Sequence, residues 1–189
     1  MKIVHSFWSK PALEQNSSVE KANGGFRSNK HHYMSWALSC LQFKKYYEEV
    51  ELVTDLAGKK LLIDTLNLPY SSVRTDFENL SHYPKQLWAI GKLYTYSLQD
   101  KPFLHVDGDV YIWEKLDNTL DNAELIGQHM DNNEGPYHYS MEQLKKHDIS
   151  IPKVMEDDFS IQKKFYATNA GILGGNNVDF FKKIHIIAA

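Results

Sequence analysis

The stretch "FLHVDGDVYIW", residues 103–113, decides how this chain is read. Phe103 to Val106 is a compact apolar run, the pattern of a parallel strand buried on both faces. Asp107, Gly108 and Asp109 follow at once. An Asp-Gly pair between apolar runs is a strong hairpin signal. In that hairpin Val106 would face Asp109 and His105 would face Val110. Directly opposed residues share one face of a sheet, so both pairs would set an apolar residue against a polar one. The alternative fits better. A central strand leaves the sheet, and both carboxylates point into the crevice beyond its carboxyl end. Gly108 between them permits close backbone approach. Two hard oxygen ligands with open positions suit Mg²⁺ or Mn²⁺ bridged to a phosphate.

Working outward, strands alternate with helices. Lys2 to Trp8 reads as a buried strand, and Ser9 to Arg27, with Pro11 and Gly24-Gly25, as a long polar loop. Asn29 to Glu49 reads as a helix whose stripe is Met34, Ala37, Leu38 and Leu41, widened by Trp36, Cys40 and Phe43. Val50 to Thr54 is a strand, followed by a helix through Leu61, Leu62 and Leu66 that stops before Pro69. Tyr70 to Phe77 is expected to be another strand. Pro84 suits the first position of a helix with Leu87, Gly91, Tyr94 and Leu98 on one face. Glu124 to Met130 reads as a strand, and Ser140 with Gln143 as a capping box for a short helix to His147. Phe165 to Gly175 mixes a strand with small residues, and Asn176 or Asn177 caps a last helix from Val178. The fold class is therefore α/β, a mostly parallel sheet flanked by helices in a single domain.

Bulk properties narrow the function. The chain has 189 residues, with 42% hydrophobic and 24% charged residues, ordinary values for a globular domain. A net charge of −3 offers no basic field for nucleic acid or anionic lipid. The single cysteine, Cys40, rules out an internal disulfide and a thiolate-rich metal site. No run reaches membrane-spanning length, and a cytoplasmic setting is expected.

On "FLHVDGDVYIW" and the downstream "FYATNAGILGGNNVDFFKKI", the chain resembles glycosyltransferases of the GT-A fold. Asp107, Gly108 and Asp109 match that superfamily's Asp-x-Asp motif, and Asn169, Ala170 and Gly171 match a later Asn-small-Gly segment. The helix "KQLWAIGKLYTYS", residues 85–97, has a familiar flavour for the segment before the motif. The resemblance implies transfer of a sugar from a nucleotide-sugar donor, most often a UDP-sugar, to a saccharide or other hydroxyl acceptor. It implies Mn²⁺ or Mg²⁺ on the diphosphate, with Asp109 as direct ligand and Asp107 on the ribose or metal-bound water. It places His5, Ser6 and Trp8 beside the nucleotide, Thr54 and Asp55 within reach of the base, and Asn169 at the donor sugar. The competing class is a non-catalytic carbohydrate- or protein-binding module on the same fold.

Other residues have plainer readings. His31-His32 is expected on a solvated surface, and Trp36, Phe43 and Tyr47 in the core. Lys85 and Lys92 are expected on a solvated helix face. Asp157 and Asp158, the paired late acids that a catalytic base would require, are expected in a solvated loop. The ending "KKIHIIAA" carries no helix stop signal, so the chain is expected to lack a C-terminal part, together with a metal-binding His.

Overall fold

The computed structural model describes residues 1–13, 25–131, 135–162 and 167–188. Its contacts divide the chain into two compact units, residues 1–126 with 171–189, and residues 127–170. The first unit carries the sheet and the aspartate pair.

The sheet is built on β1 (Lys2–Phe7), β2 (Val50–Thr54), β3 (Ser72–Arg74), β4 (Phe103–Val106), β5 (Ile126–Gly127) and β8 (Ile172–Gly175), in the order β3-β2-β1-β4-β8-β5. β1, β2, β3 and β4 run parallel, and β8 runs antiparallel to β4. The architecture is thus α/β with a mostly parallel, mixed sheet of six strands. The strand order steps from β1 to β3 in one direction and then returns to place β4 on the other side of β1. The order reverses between β1 and β4.

Alternation along the strands explains the layers. Val4, Val53 and Phe103 face one side, where they pack with Tyr96 of α4 (Ile90–Ser97) and Phe181 of α7 (Val178–Ala188). Ile3, Phe7, Leu52, Leu104 and Val106 face the other, toward Trp36, Cys40 and Phe43 of α2 (Asn29–Tyr46). Polar strand residues are paired: at the amino-terminal end Lys2 Nζ lies 3.3 Å from a Glu51 carboxylate oxygen, both side chains nearly buried.

Several local expectations change. The segment expected to be a loop from Ser9 opens with a short helix, α1 (Ser9–Leu13). Pro11 falls within its first turn, where its missing N–H is no loss. Residues 14–24 of that segment lie outside the described residues. In α2 the stripe is rotated: Met34, Leu38 and Leu41 are exposed, whereas His32, Ser35, Trp36, Ser39, Cys40 and Phe43 are buried. The physical reason lies beneath the helix, where the end of β4 presents backbone carbonyls that need donors. The next helix is α3 (Leu56–Lys59), which widens into a π-helical turn over Lys60–Thr65, with Leu66 N–H bonded to Leu61 C=O at 3.0 Å. Asn67 then takes a left-handed conformation, φ 51°, that ends it.

The expected strand from Tyr70 to Phe77 shortens to β3 and gives way to a 3₁₀ turn over Asp76–Leu80. After Pro84 comes only a 3₁₀ turn, Lys85–Leu87, with α4 starting at Ile90 and Leu87 exposed. The expected strand from Glu124 to Met130 is two short strands, β5 and β6 (Met130–Asp131). Asn177 does cap α7, its Oδ1 accepting from Phe180 N–H at 3.1 Å.

The second unit holds an antiparallel pair, β6 with β7 (Ala167–Thr168), and the helices α5 (Gly135–Lys146) and α6 (Lys153–Gln162). Ser140 lies inside α5, so it is no cap; the helix begins five residues earlier, at Gly135-Pro136, with proline in the first turn. Asp157 lies on α6, not in a loop, and pairs with Lys153 Nζ at 2.9 Å, one turn away. No helix among the described residues is long and apolar enough to cross a membrane.

Candidate functional site

The question posed by Asp107-Gly108-Asp109 has a composite answer. Asp107 C=O accepts from Val110 N–H at 3.1 Å, so Asp107 to Val110 is a β-turn centred on Gly108 and Asp109. The chain is not extended there, contrary to the expectation that both carboxylates point the same way along a strand leaving the sheet. Nor is the turn a hairpin: no strand directly follows it, and β4 pairs instead with β1 and β8. The turn closes the strand and delivers both carboxylates to one cleft.

Two sets of hydrogen bonds and one packing contact hold the turn. Asp107 N–H donates to Gly171 C=O at 2.8 Å, which ties it to the start of β8. Ser35 and Ser39, one helical turn apart on α2, donate to the carbonyls of Gly108 and Val110 at 2.8 and 2.7 Å. Gly108 also lies on the indole of Trp36, so closely that an added Cβ would stand 2.3 Å from the ring. Glycine is required here for approach.

Behind Ser39 lies a buried relay. Ser39 spends its proton on Val110, so His5 Nε2–H donates to Ser39 Oγ at 3.2 Å and Tyr70 O–H donates to His5 Nδ1 at 2.8 Å. Burial lowers the His5 pKa to about 3, so the ring is neutral, as the relay demands.

The carboxylates open onto a cleft of about 390 Å³, whose walls include Ser6, Trp8, Trp36, Lys85 and Lys92. It lies beyond the carboxyl ends of β1 and β4, where the strand order reverses, and open α/β sheets bind ligands at such a point. Lys92 Nζ meets Asp107 Oδ2 at 2.7 Å. Both lysines line the cleft, so the expected solvated helix face is instead a wall, with Lys92 presented by α4 and Lys85 by the 3₁₀ turn before it. Asp109 is exposed and takes no hydrogen bond or ion pair among the described residues.

Over its whole length, residues 1–189, the chain matches the model described as Family of unknown function (DUF6734). The chain belongs to this family. No curated protein matches it.

In this DUF6734 member the expected site residues separate into three groups. Ser6, Trp8, Asp107 and Asp109 line the cleft. His5, Thr54 and Asp55 do not; each is buried and committed to the chain itself. His5 serves the relay, because alternation turns it toward α2. Thr54 Oγ1 donates to Phe7 C=O at 2.6 Å. Asp55 caps α3 by accepting from Gly58 N–H at 2.7 Å, and its other oxygen accepts from Ser9 N–H and Oγ–H at 3.0 and 2.8 Å. These residues support the cleft's rim. In the third group, Asn169 and Ala170 belong to the second unit, where Asn169 N–H donates to His129 C=O at 2.8 Å; Gly171 belongs to the first and anchors Asp107.

Electrostatics at the DUF6734 cleft are tightly coupled. Burial pushes the Asp107 carboxyl above the ordinary range, Lys92 pulls it back, and the Asp109 charge adds repulsion. Beneath them His105 is fully buried, its Nε2 2.8 Å from Ser6 Oγ, and burial first and Lys92 second hold it neutral.

Two groups at the site go beyond what the local sequence pattern shows. His32 is buried and lines the cleft, where the histidine pair was expected on a solvated surface. Ser35 and Ser39 carried a legible signal, two small hydroxyls at i and i+4 on a helix, but nothing in the local pattern says that they meet a turn 70 residues on. Trp36 and Phe43 are buried as expected, and Trp36 also forms part of the cleft. Trp113, by contrast, is 71% exposed.

Proposed function

We propose that the protein is a glycosyltransferase that takes a nucleotide-sugar, a UDP-sugar in the first instance, and moves its sugar to an acceptor hydroxyl. The observation that carries this reading is the pair Asp107 and Asp109 on a buttressed turn at the carboxyl end of β4, facing a cleft at the reversal of strand order.

The residues fit a divalent cation of the Mg²⁺ or Mn²⁺ kind in a limited sense. Among the described residues Asp109 has both oxygens open, and Asp107 retains one beyond Lys92. Among the described residues no cluster of three or more His, Cys, Asp or Glu is gathered. Such cations are commonly held by one or two carboxylates, with substrate phosphates and water completing the shell. When bound, the cation supplies Lewis-acid stabilisation of the departing diphosphate. Everything else falls to the chain. Asp109 binds, Asp107 orients, and the Ser35–Ser39 clamp keeps the turn from moving as charge develops. Lys92 and Lys85 bring fixed positive charge to a cleft that must accept an anion. Trp8 and Trp36 offer apolar faces for a ring. In the transfer the acceptor oxygen bonds to the anomeric carbon, the bond from that carbon to the diphosphate breaks, and the hydroxyl proton is released.

Calorimetry with Mn²⁺ and UDP tests the reading. Wild type is expected to bind UDP only with the cation, and Asp109→Ala to lose that binding at least about a hundredfold, on the order of 3 kcal/mol. Unchanged binding by Asp109→Ala removes the proposal. The ion pair of Lys92 with Asp107 favours a second reading, because it neutralises one carboxylate without a metal. A non-catalytic binding module would keep its ligand in chelator and show no UDP-sugar hydrolysis.

A further inference from the structure

The face that α2 turns to the cleft holds a histidine with one nitrogen unaccounted for. His32 lines the cleft and is only 9% exposed. Trp36 Nε1–H, which can only donate, reaches His32 Nε2 at 2.9 Å. Nε2 therefore supplies its lone pair, and the one proton of the neutral ring sits on Nδ1. Burial lowers the pKa of His32 against the opposing pull of Asp109, which keeps the ring in that neutral form.

Nδ1–H has no acceptor among the described residues. An orphaned buried donor costs roughly 1–3 kcal/mol, and such groups are rare enough to require a cause. The ring has little freedom to escape. Phe26 stacks on it at 6.1 Å and 18°, and Trp36, its hydrogen-bond partner, is itself pinned beneath Gly108. The donor is thus held beside a cleft by the same wall that supports the aspartate turn.

We propose that His32 is a ligand-recognition residue, its Nδ1–H donating to a carbonyl or hydroxyl oxygen on the nucleoside part of the bound ligand. The choice of a nucleoside rests on the reading of the cleft given above. A ligand with an acceptor at that point satisfies the orphaned donor, and an analogue without one leaves it buried and unpaired. Discrimination of that kind is large because the penalty falls on the wrong ligand.

Two conservative variants separate recognition from mere support of Trp36. The amide of asparagine reaches about as far as Nδ1, and that of glutamine about as far as Nε2. His32→Asn keeps a donor for the ligand and strips Trp36 of its acceptor; His32→Gln does the reverse. Calorimetry is run with UDP and Mn²⁺, and with uridine in chelator. The expected result is that His32→Gln weakens binding about tenfold or more while His32→Asn restores most of it. Rescue by Gln instead of Asn, or no change in either, overturns the proposal.

UDP binding that responds to Asp109→Ala but ignores both His32 variants sinks this inference and leaves the transferase reading intact. UDP binding that needs His32 but neither Asp109 nor metal supports the inference and sinks the transferase reading. If wild type binds neither probe, both fall. Should a variant fail to fold, the nitrogen NMR signal of wild-type His32 Nδ1 gives the same information: it shifts on UDP addition if the contact forms, and an unmoved signal overturns the proposal.

Discussion

β1 and β2 are neighbours, parallel and in register, and each carries a hydroxyl in its last two residues, Ser6 and Thr54, yet their ends do different work. At the end of β1, Ser6 and, one residue beyond the strand, Trp8 open onto the cleft. At the end of β2, Thr54 and the following Asp55 are buried, their bonds spent on Phe7, Ser9 and Gly58. The sequences Ser6-Phe7-Trp8 and Thr54-Asp55 look equally suited to a ligand. What separates them is position in the sheet. Between β1 and β4 the strand order reverses, so the connections leave in opposite directions and part the surface. Between β1 and β2 there is no reversal, and the segment after β1 folds across the end of β2. A polar strand end becomes a site only where neighbouring backbone does not reach it first.

The comparison can be broken most directly at Asp55. Asp55→Ala removes a helix cap and the acceptor for two bonds from Ser9, so unfolding free energy should fall by about 3–5 kcal/mol in urea denaturation. Asp109→Ala, at an exposed position with no partner among the described residues, should change stability by less than about 0.5 kcal/mol while affecting binding. If Asp55→Ala spared stability and struck UDP binding instead, the division of labour would be reversed.

A second test uses pH. His5 and His105, on opposite faces of the sheet, are both held neutral by burial, His5 down to about 3 and His105 well below its usual value. The unfolded chain takes up protons at these residues near pH 6.5, and the folded chain does not. Their contribution to stability is therefore complete above that pH and is lost as pH falls, for His5 until about 3. Each should contribute a slope of up to ~1.4 kcal/mol per pH unit. Urea midpoints between pH 7 and 5 should drop steeply, and His5→Gln should flatten the slope in part, leaving the shares of His105 and of His32, whose pKa burial also lowers. A flat profile in wild type would show that the strands do not hold two neutral histidines.

The smallest expected effect sharpens the account of the turn. Gly108→Ala forces a Cβ to 2.3 Å from the Trp36 ring unless the turn moves. Stability should fall by about 1–3 kcal/mol, and UDP binding should weaken by more than the residual folded fraction explains, because both carboxylates ride on that turn. Full tolerance would mean that Trp36 gives way and the turn needs no support from α2.

Much of this was legible in the chain itself. The apolar run Phe103–Val106 ending in two aspartates announced a buried strand with carboxylates at its carboxyl end, and the alternation of strands with helices announced a parallel sheet. Those features depend on local period and on residues a few positions apart. The errors share one cause. Met34, Leu38 and Leu41 looked like the buried stripe of α2 because apolar residues are expected inward, but the surface beneath that helix is a turn with unpaired carbonyls, and hydroxyls satisfy it better. Likewise Ser140 resembled a cap because nothing local shows that the helix had already begun.

The sequence by itself determined the α/β class and the apolar strand that leads into Asp107 and Asp109. The tertiary structure alone decided which polar strand ends stay open, that His5 and His105 are buried and neutral, that Lys92 reaches Asp107, and that His32 joins the cleft. Each of these depends on pairings across long stretches of chain: Ser39 with Val110, Asp55 with Ser9, Lys92 with Asp107. Local pattern can state that a residue needs a partner. Only the folded sheet determines which partner arrives, because hydrogen bonds and burial act through distance in space and take no account of separation along the chain.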